Sequence, residues 1–365
     1  MAFFSYKNIE IDGLASCVPK TVVEVDSFKK RFGKEDVEKF KLISGIKQFR
    51  KSVWEQTASD MGFVAAKKIL SEKKIATSQI GAIVFASHSF DYRRPATACV
   101  LHKRLELASD CVAFDLNLGC SAFVYGMLIV CSLMTNSNME YALLVVGETN
   151  SKNISPDDKA LVMLMGDGGG AVLLKKNPES GDIKGSLKTD GEGYKSVIIP
   201  AGGYRNLYAT KKKFIFADGN KRTLYNTFMN GVDVFNFTIS DVPKTIKEFF
   251  DYTDTNTNDY DCFALHQANK YIQDLIIKRI KIPKNKAPLS LDRYGNTSSA
   301  SIPITLCDKY GMFDKQEIIR TLMCGFGVGL SWGVLSADIK KSNVFPLTES
   351  DDYYPEGFIN SPDQL

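Results

Sequence analysis

The sequence predicts a layered α/β fold made of two duplicated halves, and three observations lead there. Continuous apolar runs of strand length recur at 81–87, 111–114, 141–146, 171–174, Cys262–Leu265, 319–323 and 332–339, as expected for strands buried on both faces. Helical segments lie among them at 57–70, 121–135, 232–250, 268–280, 298–309 and 315–321, and such alternation argues for sheets layered with helices. The second part of the chain then replays the first.

The elements support this in order. Segment 57–70 sets Met61, Val64, Ala65 and Ile69 at helical spacing. Run 81–87 ends in polar residues, and so does 261–267. The turn Gly119-Cys120-Ser121-Ala122 leads into 121–135, apolar on every side and therefore expected to be a buried central helix. Gly295-Asn296-Thr297-Ser298 answers that turn. Run 141–146 has its counterpart in 319–323. Gly168-Gly169-Gly170 ahead of 171–174 has its counterpart in Gly325-Phe326-Gly327-Val328-Gly329 ahead of the last strand. A period of about 170 residues is far too long for a solenoid. The reading is a first half over 1–180, a second over 181–340 with a linking stretch near 211–226, and a tail over 341–365. Sites in such folds form at the carboxyl ends of the strands, where loops from both halves meet.

Composition narrows the classes. The 365 residues are 44% hydrophobic and 24% charged with net charge +4, the profile of a soluble globular chain. The basic residues are spread out apart from Lys211-Lys212-Lys213, which speaks against a nucleic-acid partner. The start of the chain carries no targeting pattern, and run 122–134 is shorter than the ~18 residues of a membrane span, so a cytoplasmic protein without membrane contact is expected. None of the eight cysteines forms a C-x-x-C pair, and seven read as reduced core thiols. No metal-ligand spacing, phosphate loop or dinucleotide fingerprint is present, so neither metal nor cofactor is expected.

Three residues carry chemistry. Cys120 lies between a buried strand and the most apolar helix, where free N–H groups and the helix dipole are expected to favour a thiolate. His266, in Phe263-Ala-Leu-His-Gln-Ala-Asn269, ends a strand; His88 and His102 lack such a setting and read as ordinary surface or core residues. Asn296 caps a turn after Gly295. Together they fit one pattern. A thiolate can take an acyl group from a thioester. A His and an Asn can then donate to a second thioester carbonyl and stabilise the enolate formed as CO₂ leaves. Backbone from 325–329 and the N–H of Cys120 would make an oxyanion hole.

These residues, with Gly45-Ile46-Lys47, Thr57-Ala-Ser-Asp60, Gly166-Asp-Gly168, Met229-Asn-Gly231, His266-Gln-Ala-Asn269, Leu291–Ser298 and 327–333, make residues 8–340 resemble the β-ketoacyl-acyl-carrier-protein synthase III branch of the thiolase-fold condensing enzymes. The resemblance implies a thiolase-like fold, a homodimer, acyl thioester and malonyl thioester substrates, an acyl carrier protein as partner, and a Cys120, His266 and Asn296 triad. It places the oxyanion amides at Cys120 and Val328, where relatives have glycine at the second position. It also marks departures. Lys39 and Ile43 stand where relatives grip the adenine of coenzyme A with Trp and Arg. Tyr271 stands where they carry a carrier-binding Arg, leaving Lys270, Lys278 and Arg279 as candidates for that contact. Tyr92, Arg93 and Arg94 occupy the segment that closes the acyl pocket, and their bulk and charge suggest a short or polar acyl group.

Two rivals accompany this reading. In one, Cys120 passes its acyl group to an amine or hydroxyl; in the other, the chain is an inactive structural subunit. Residues 345–365 hold five acidic residues and no Lys or Arg, without family counterpart, and read as a loose acidic tail ahead of the alternative, an ordered cap over a dimer surface.

Overall fold

The computed structural model describes residues 2–312 and 316–364. Eleven strands join in one hydrogen-bonded system that divides into two sheets. In the first, Ile80–Ser87 runs parallel to both Val112–Asn117 and Tyr141–Glu148, and Gly168–Lys176 and Ile9–Val18 follow antiparallel. In the second, Cys262–Leu265 runs parallel to Ile318–Gly327, followed antiparallel by Ser331–Lys340, Ile183–Thr189 and Ala2–Tyr6. The sheets meet at a single parallel pair, Ile339 with Ile11. Ala2–Tyr6 thus lies in the second sheet although it opens the chain, so a cut at 180 does not separate the two sheets.

Side-chain alternation turns these strands into layers. Ile83, Phe85, Leu143 and Val145 face one core with helices Ala58–Lys73 and Thr97–Arg104, while Ala82, Val84, Ala86, Ala142, Leu144 and Val146 face the opposite way. In the second sheet Phe263, Leu265, Leu322 and Phe326 pack under helices Gly231–Thr253 and Lys270–Ile280. Cys262, Ala264 and Met323 turn inward. Between the sheets lie helices Ala122–Thr135 and Ser301–Tyr310, sharing one core with both inner faces. The first of them buries Phe123, Val124, Met127, Leu128, Val130, Cys131 and Met134, as its all-round apolar sequence requires.

The structure differs from the sequence reading in four places. Residues 318–321 belong to the long strand Ile318–Gly327 and not to a helix over 315–321; Lys315 itself lies outside the described residues. Ile9–Val18, Ile183–Thr189 and Ala2–Tyr6 are strands whose polar residues broke the apolar run; Asp12 sits at a register shift between Ile11 and Gly13. Cys99 is an exposed thiol and not a core one. The tail is packed in place.

That tail follows the edge of the first sheet. The Phe345 N–H donates to Leu14, and Thr348–Glu349 pairs in parallel with Cys17 and Val18. The buried Gln56 amide donates to the carbonyls of Ser350 (2.8 Å) and Asp352 (3.1 Å), and Arg50 pairs with Glu349 at 2.6 Å. Arg104 stacks on Tyr354, 4.7 Å from its ring centre. Buried polar groups that lose their partners destabilise a fold by about 1–3 kcal/mol each. Ending the chain at residue 346 is therefore expected to lower the thermal midpoint by several degrees in calorimetry, and an unchanged midpoint would contradict the packing.

Candidate active site

Cys120 leaves strand Val112–Asn117 through Gly119 and precedes helix Ala122–Thr135, whose first turn closes with the Ala122 N–H on the Gly119 carbonyl at 2.8 Å. The strand end Gly325–Gly329 crosses over it. A Cβ on Gly327 would lie 2.6 Å from the Cys120 Cβ and 3.0 Å from Sγ, so only glycine lets this backbone approach the sulfur. Val328 and Cys120 each offer Sγ a backbone hydrogen bond that favours the thiolate, and Ser298 Oγ lies 3.4 Å from Sγ. Burial outweighs them, with Glu148 adding to it, and pushes the thiol up to about 11. The expected resting thiolate is corrected: the helix N-terminus is present, but the site is too enclosed to hold a free charge.

His266 follows strand Cys262–Leu265, its N–H on the Cys324 carbonyl at 2.8 Å. Nδ1 lies 2.8 Å from Ser301 Oγ, and the ring stands edge-on to Phe326 with centres 5.1 Å apart. Burial pushes its pKa down to about 3, against a backbone hydrogen bond with Ser298, so the imidazole is neutral. Asn296 is pinned by its own backbone, whose N–H donates to Leu164 and whose carbonyl accepts from Gly166. Its side-chain oxygen accepts from the Ser298 N–H at 2.9 Å, leaving Nδ2 as the donor, with the Ala268 carbonyl 3.5 Å away. Cys120, His266, Asn296 and Val328 all line one cavity of about 1160 Å³.

The comparisons with known proteins agree with this geometry. The family model for 3-oxoacyl-[acyl-carrier-protein (ACP)] synthase III matches residues 114–191, and that for its C-terminal part matches residues 250–339. A β-ketoacyl-[acyl-carrier-protein] synthase III of Clostridium perfringens is 32% identical over 328 residues, covering 90% of this chain and 98% of the relative. The chain belongs to the 3-oxoacyl-acyl-carrier-protein synthase III family. Its Clostridioides difficile relative is 31% identical over 321 residues, 88% of this chain and 95% of that one. The crystal structure of a 3-oxoacyl-(acyl-carrier protein) synthase from Burkholderia xenovorans superposes with TM-score 0.90 at 31% identity, covering 96% of this chain and 99% of the other. That coverage exceeds what residues 1–340 could supply, so at least part of the tail has a counterpart in that structure. The chain is accordingly a thiolase-fold condensing enzyme of the acyltransferase class.

Other residues of this synthase-family chain fall less evenly. Arg93 lines the cavity, whereas Tyr92 Oη donates to the Gly357 carbonyl and Arg94 donates to Tyr204 Oη at 3.2 Å, so neither closes the cavity in this chain. Lys270 is paired with Asp274 and Arg279 donates to the Ile239 carbonyl, which leaves Lys278 exposed. Ile43, Val232, Phe235 and Tyr271 make another stretch of the cavity wall apolar or aromatic, with Phe235 and Tyr271 stacked at 5.8 Å. Among the described residues no group of His, Cys, Asp and Glu is arranged to hold a metal ion, and no helix is long and apolar enough to cross a membrane.

Four residues were missed or misread. Ser298, in a left-handed backbone conformation (φ 51°), touches all three site residues: its Oγ reaches Cys120, its N–H reaches Asn296 and its backbone reaches His266. A serine two positions after the turn asparagine gave no signal beyond helix entry. His88 lines the cavity, contrary to its reading as an ordinary surface or core histidine. Glu148 is buried with its pKa raised to about 7 by desolvation; it accepts from the His88 N–H at 2.9 Å and from Ser89 Oγ at 2.6 Å. Asp167, in the Gly-Asp-Gly motif, accepts from Ser52 and Ser151 and so ties two loops together.

A thiol titrating near 11 has a thiolate fraction that rises about ten-fold per pH unit throughout the neutral range. Iodoacetamide alkylation of Cys120, resolved from exposed Cys99 by peptide mapping, is expected to accelerate from pH 7 to 10 without levelling. Ser298→Ala removes a bond that favours the thiolate and should slow it at every pH. A plateau below pH 9 would show that the sulfur rests ionised.

Proposed function

We propose that this chain takes an acyl group from a thioester onto Cys120 and condenses it, with loss of CO₂, onto a malonyl thioester. The observation that carries the reading is the convergence of Cys120, His266 and Asn296, from both halves of the fold, on one cavity whose wall includes the amides of Cys120 and Val328. In the first step Sγ attacks the thioester carbonyl. The negative charge on oxygen is met by those two N–H groups, and the donor thiol departs. Because Cys120 starts as a thiol, its proton must move as the bond forms. The neutral imidazole of His266 can accept it and return it to the leaving sulfur.

In the second step the malonyl thioester carbonyl lies against His266 and Asn296 Nδ2. As the carboxylate leaves as CO₂, the electron pair forms an enolate whose oxygen these donors stabilise. The enolate carbon attacks the acyl carbonyl, and the Cys120 sulfur leaves to regenerate the site. A buried, neutral pair suits this role once the single imidazole N–H faces the cavity, the tautomer opposite to the one that accepts the Cys120 proton, since donors in an enclosed cavity act strongly on charge that develops during the reaction.

The surroundings support the partners. The outer edge of strand Val112–Asn117 has no strand against it among the described residues, with Val112 43% exposed, which favours pairing with a second copy in a homodimer. Ile43 in place of the cation that grips coenzyme A favours an acyl carrier protein as donor, with Lys278 offering charge to an acidic carrier, while Tyr271 in place of the carrier-binding Arg removes one contact such a carrier would use. A cytoplasmic place of work accords with these substrates.

The two steps can be separated. Cys120→Ala is expected to abolish acylation in intact-mass measurements. His266→Ala and Asn296→Ala should retain acylation yet lose about 10²–10³-fold in CO₂ release from malonyl thioester. Acylation without CO₂ release in the unaltered protein would favour an amine or hydroxyl acceptor instead, and full biological effect from Cys120→Ala would favour a structural subunit.

A further inference from the structure

The cavity wall carries a histidine that the condensation does not use. His88 is the first residue after strand Ile80–Ser87, and its backbone N–H is fixed on the buried Glu148 carboxyl at 2.9 Å. Its ring lies against the residue before the nucleophile. A Cβ on Gly119 would stand 2.9 Å from His88 Nδ1 and 3.1 Å from Cε1, with Ser298 Oγ at 3.3 Å. A side chain at position 119 would therefore displace the imidazole from the neighbourhood of Cys120. The ring is exposed, yet enclosed enough that burial lowers its pKa to about 4, so what it is exposed to is the cavity. It is neutral at physiological pH and has a single N–H.

That N–H is committed. The ring's hydrogen bond to the Asn117 backbone favours the protonated form, so the ring donates it to the carbonyl. In a neutral imidazole the other nitrogen is then a bare acceptor, and no described side chain pairs with it. Water in the cavity can pair with this acceptor, and an acyl group that displaces the water without bringing a donor leaves it unpaired at a cost in free energy. A ketone or carboxylate would bring a second acceptor, and an alkyl chain would bring nothing. A hydroxyl supplies the missing hydrogen. Ser89, Arg93, Asn117 and Asn153 make this part of the wall polar as well, unlike the stretch around Ile43, Phe235 and Tyr271.

We propose that His88 is a specificity-determining residue that selects acyl groups bearing a hydroxyl on the carbons nearest the thioester, so that the donor is a hydroxyacyl thioester. The inference rests on Cys120 being the acyl acceptor, and its test keeps the two apart. Cys120 acylation is followed by intact mass with matched pairs of acyl-N-acetylcysteamine thioesters, 2- or 3-hydroxybutyryl against butyryl. The unaltered protein should acylate at least about ten-fold faster with one of the hydroxylated members, the worth of one well-placed hydrogen bond. His88→Phe should bring that ratio close to one while retaining butyryl transfer. His88→Gln, which keeps an acceptor oxygen, should preserve most of the preference.

A ratio near one in the unaltered protein, or one unmoved by His88→Phe, overturns the selection and leaves acyl transfer to Cys120 standing. Absence of acylation by every thioester overturns the acyl-transfer reading, and the selection falls with it. If His88→Phe fails to fold, the unaltered protein and His88→Gln decide: a preference abolished by Gln, with butyryl transfer intact, counts against acceptance by the ring.

Discussion

An α-helix that is apolar on every side has to be covered on every side, and much of this molecule follows from covering one. Ala122–Thr135 has no polar stripe to turn toward water. A single sheet would cover only one face of it. The duplicated fold supplies two sheets and a companion helix, Ser301–Tyr310, and the resulting core takes residues from both inner faces. The helix begins where the strand ends of both sheets arrive, so the residue at its entrance is carried into the interior with it. Cys120 is therefore enclosed for the same reason that the core is stable: removing the apolar helix from water contributes to folding and also removes the sulfur from water.

Enclosure then decides the electrostatics. The thiol is raised to about 11, His266 lowered to about 3, His88 lowered to about 4 and Glu148 raised to about 7, each chiefly by burial. Each shift favours the neutral form of its group. A cysteine–histidine ion pair is therefore not the resting arrangement here, and the helix N-terminus does not override desolvation. What the site holds ready is a set of oriented hydrogen-bond donors, the two amides at Cys120 and Val328 and the Asn296 amide, beside a neutral His266 ring that can take up or give a proton. Donors that are fixed before the reaction need not reorganise when an oxyanion or enolate appears, and in a low-dielectric cavity their effect on that charge is large.

How much of this was legible follows from what leaves a mark in a sequence. Strands buried on both faces leave unbroken apolar runs, so 81–87, 141–146 and Cys262–Leu265 were readable, and the glycine clusters disclosed the duplication. Ile9–Val18 was not, because a strand with Asp12 at a register shift has no clean period. Residues 319–321 fell in both a strand run (319–323) and a helical segment (315–321), because Ile318, Ile319 and Leu322 also satisfy a helical spacing, and pairing with Cys262–Leu265 and Ser331–Lys340 decides for strand. Cys120, His266 and Asn296 stood out because each follows a strand or a glycine turn. Ser298 reaches Cys120 across 178 residues and Glu148 reaches His88 and Ser89 across 60 and 59, and no local pattern carries such contacts. For the tail, charge ranked the loose reading above the ordered one, since acidic composition says nothing about backbone pairing with Cys17 and Val18.

The duplication also explains why His88 is where it is. Each sheet ends a parallel strand with a histidine: His88 follows Ile80–Ser87, and His266 follows Cys262–Leu265. Each half also sends a glycine turn into a central helix, Gly119-Cys120 in one and Gly295-Asn296 in the other. Two copies of one unit packed face to face present two imidazoles and two turn residues to a single cavity. Their neighbours then separate the roles. His266 is closed in by Ser301 and Phe326 and is almost wholly buried. His88 has Gly119 beside it, and the absent side chain opens its ring to the cavity. Equivalent positions in a repeated scaffold thus differ in chemistry because one faces protein and the other faces the space that substrate must fill.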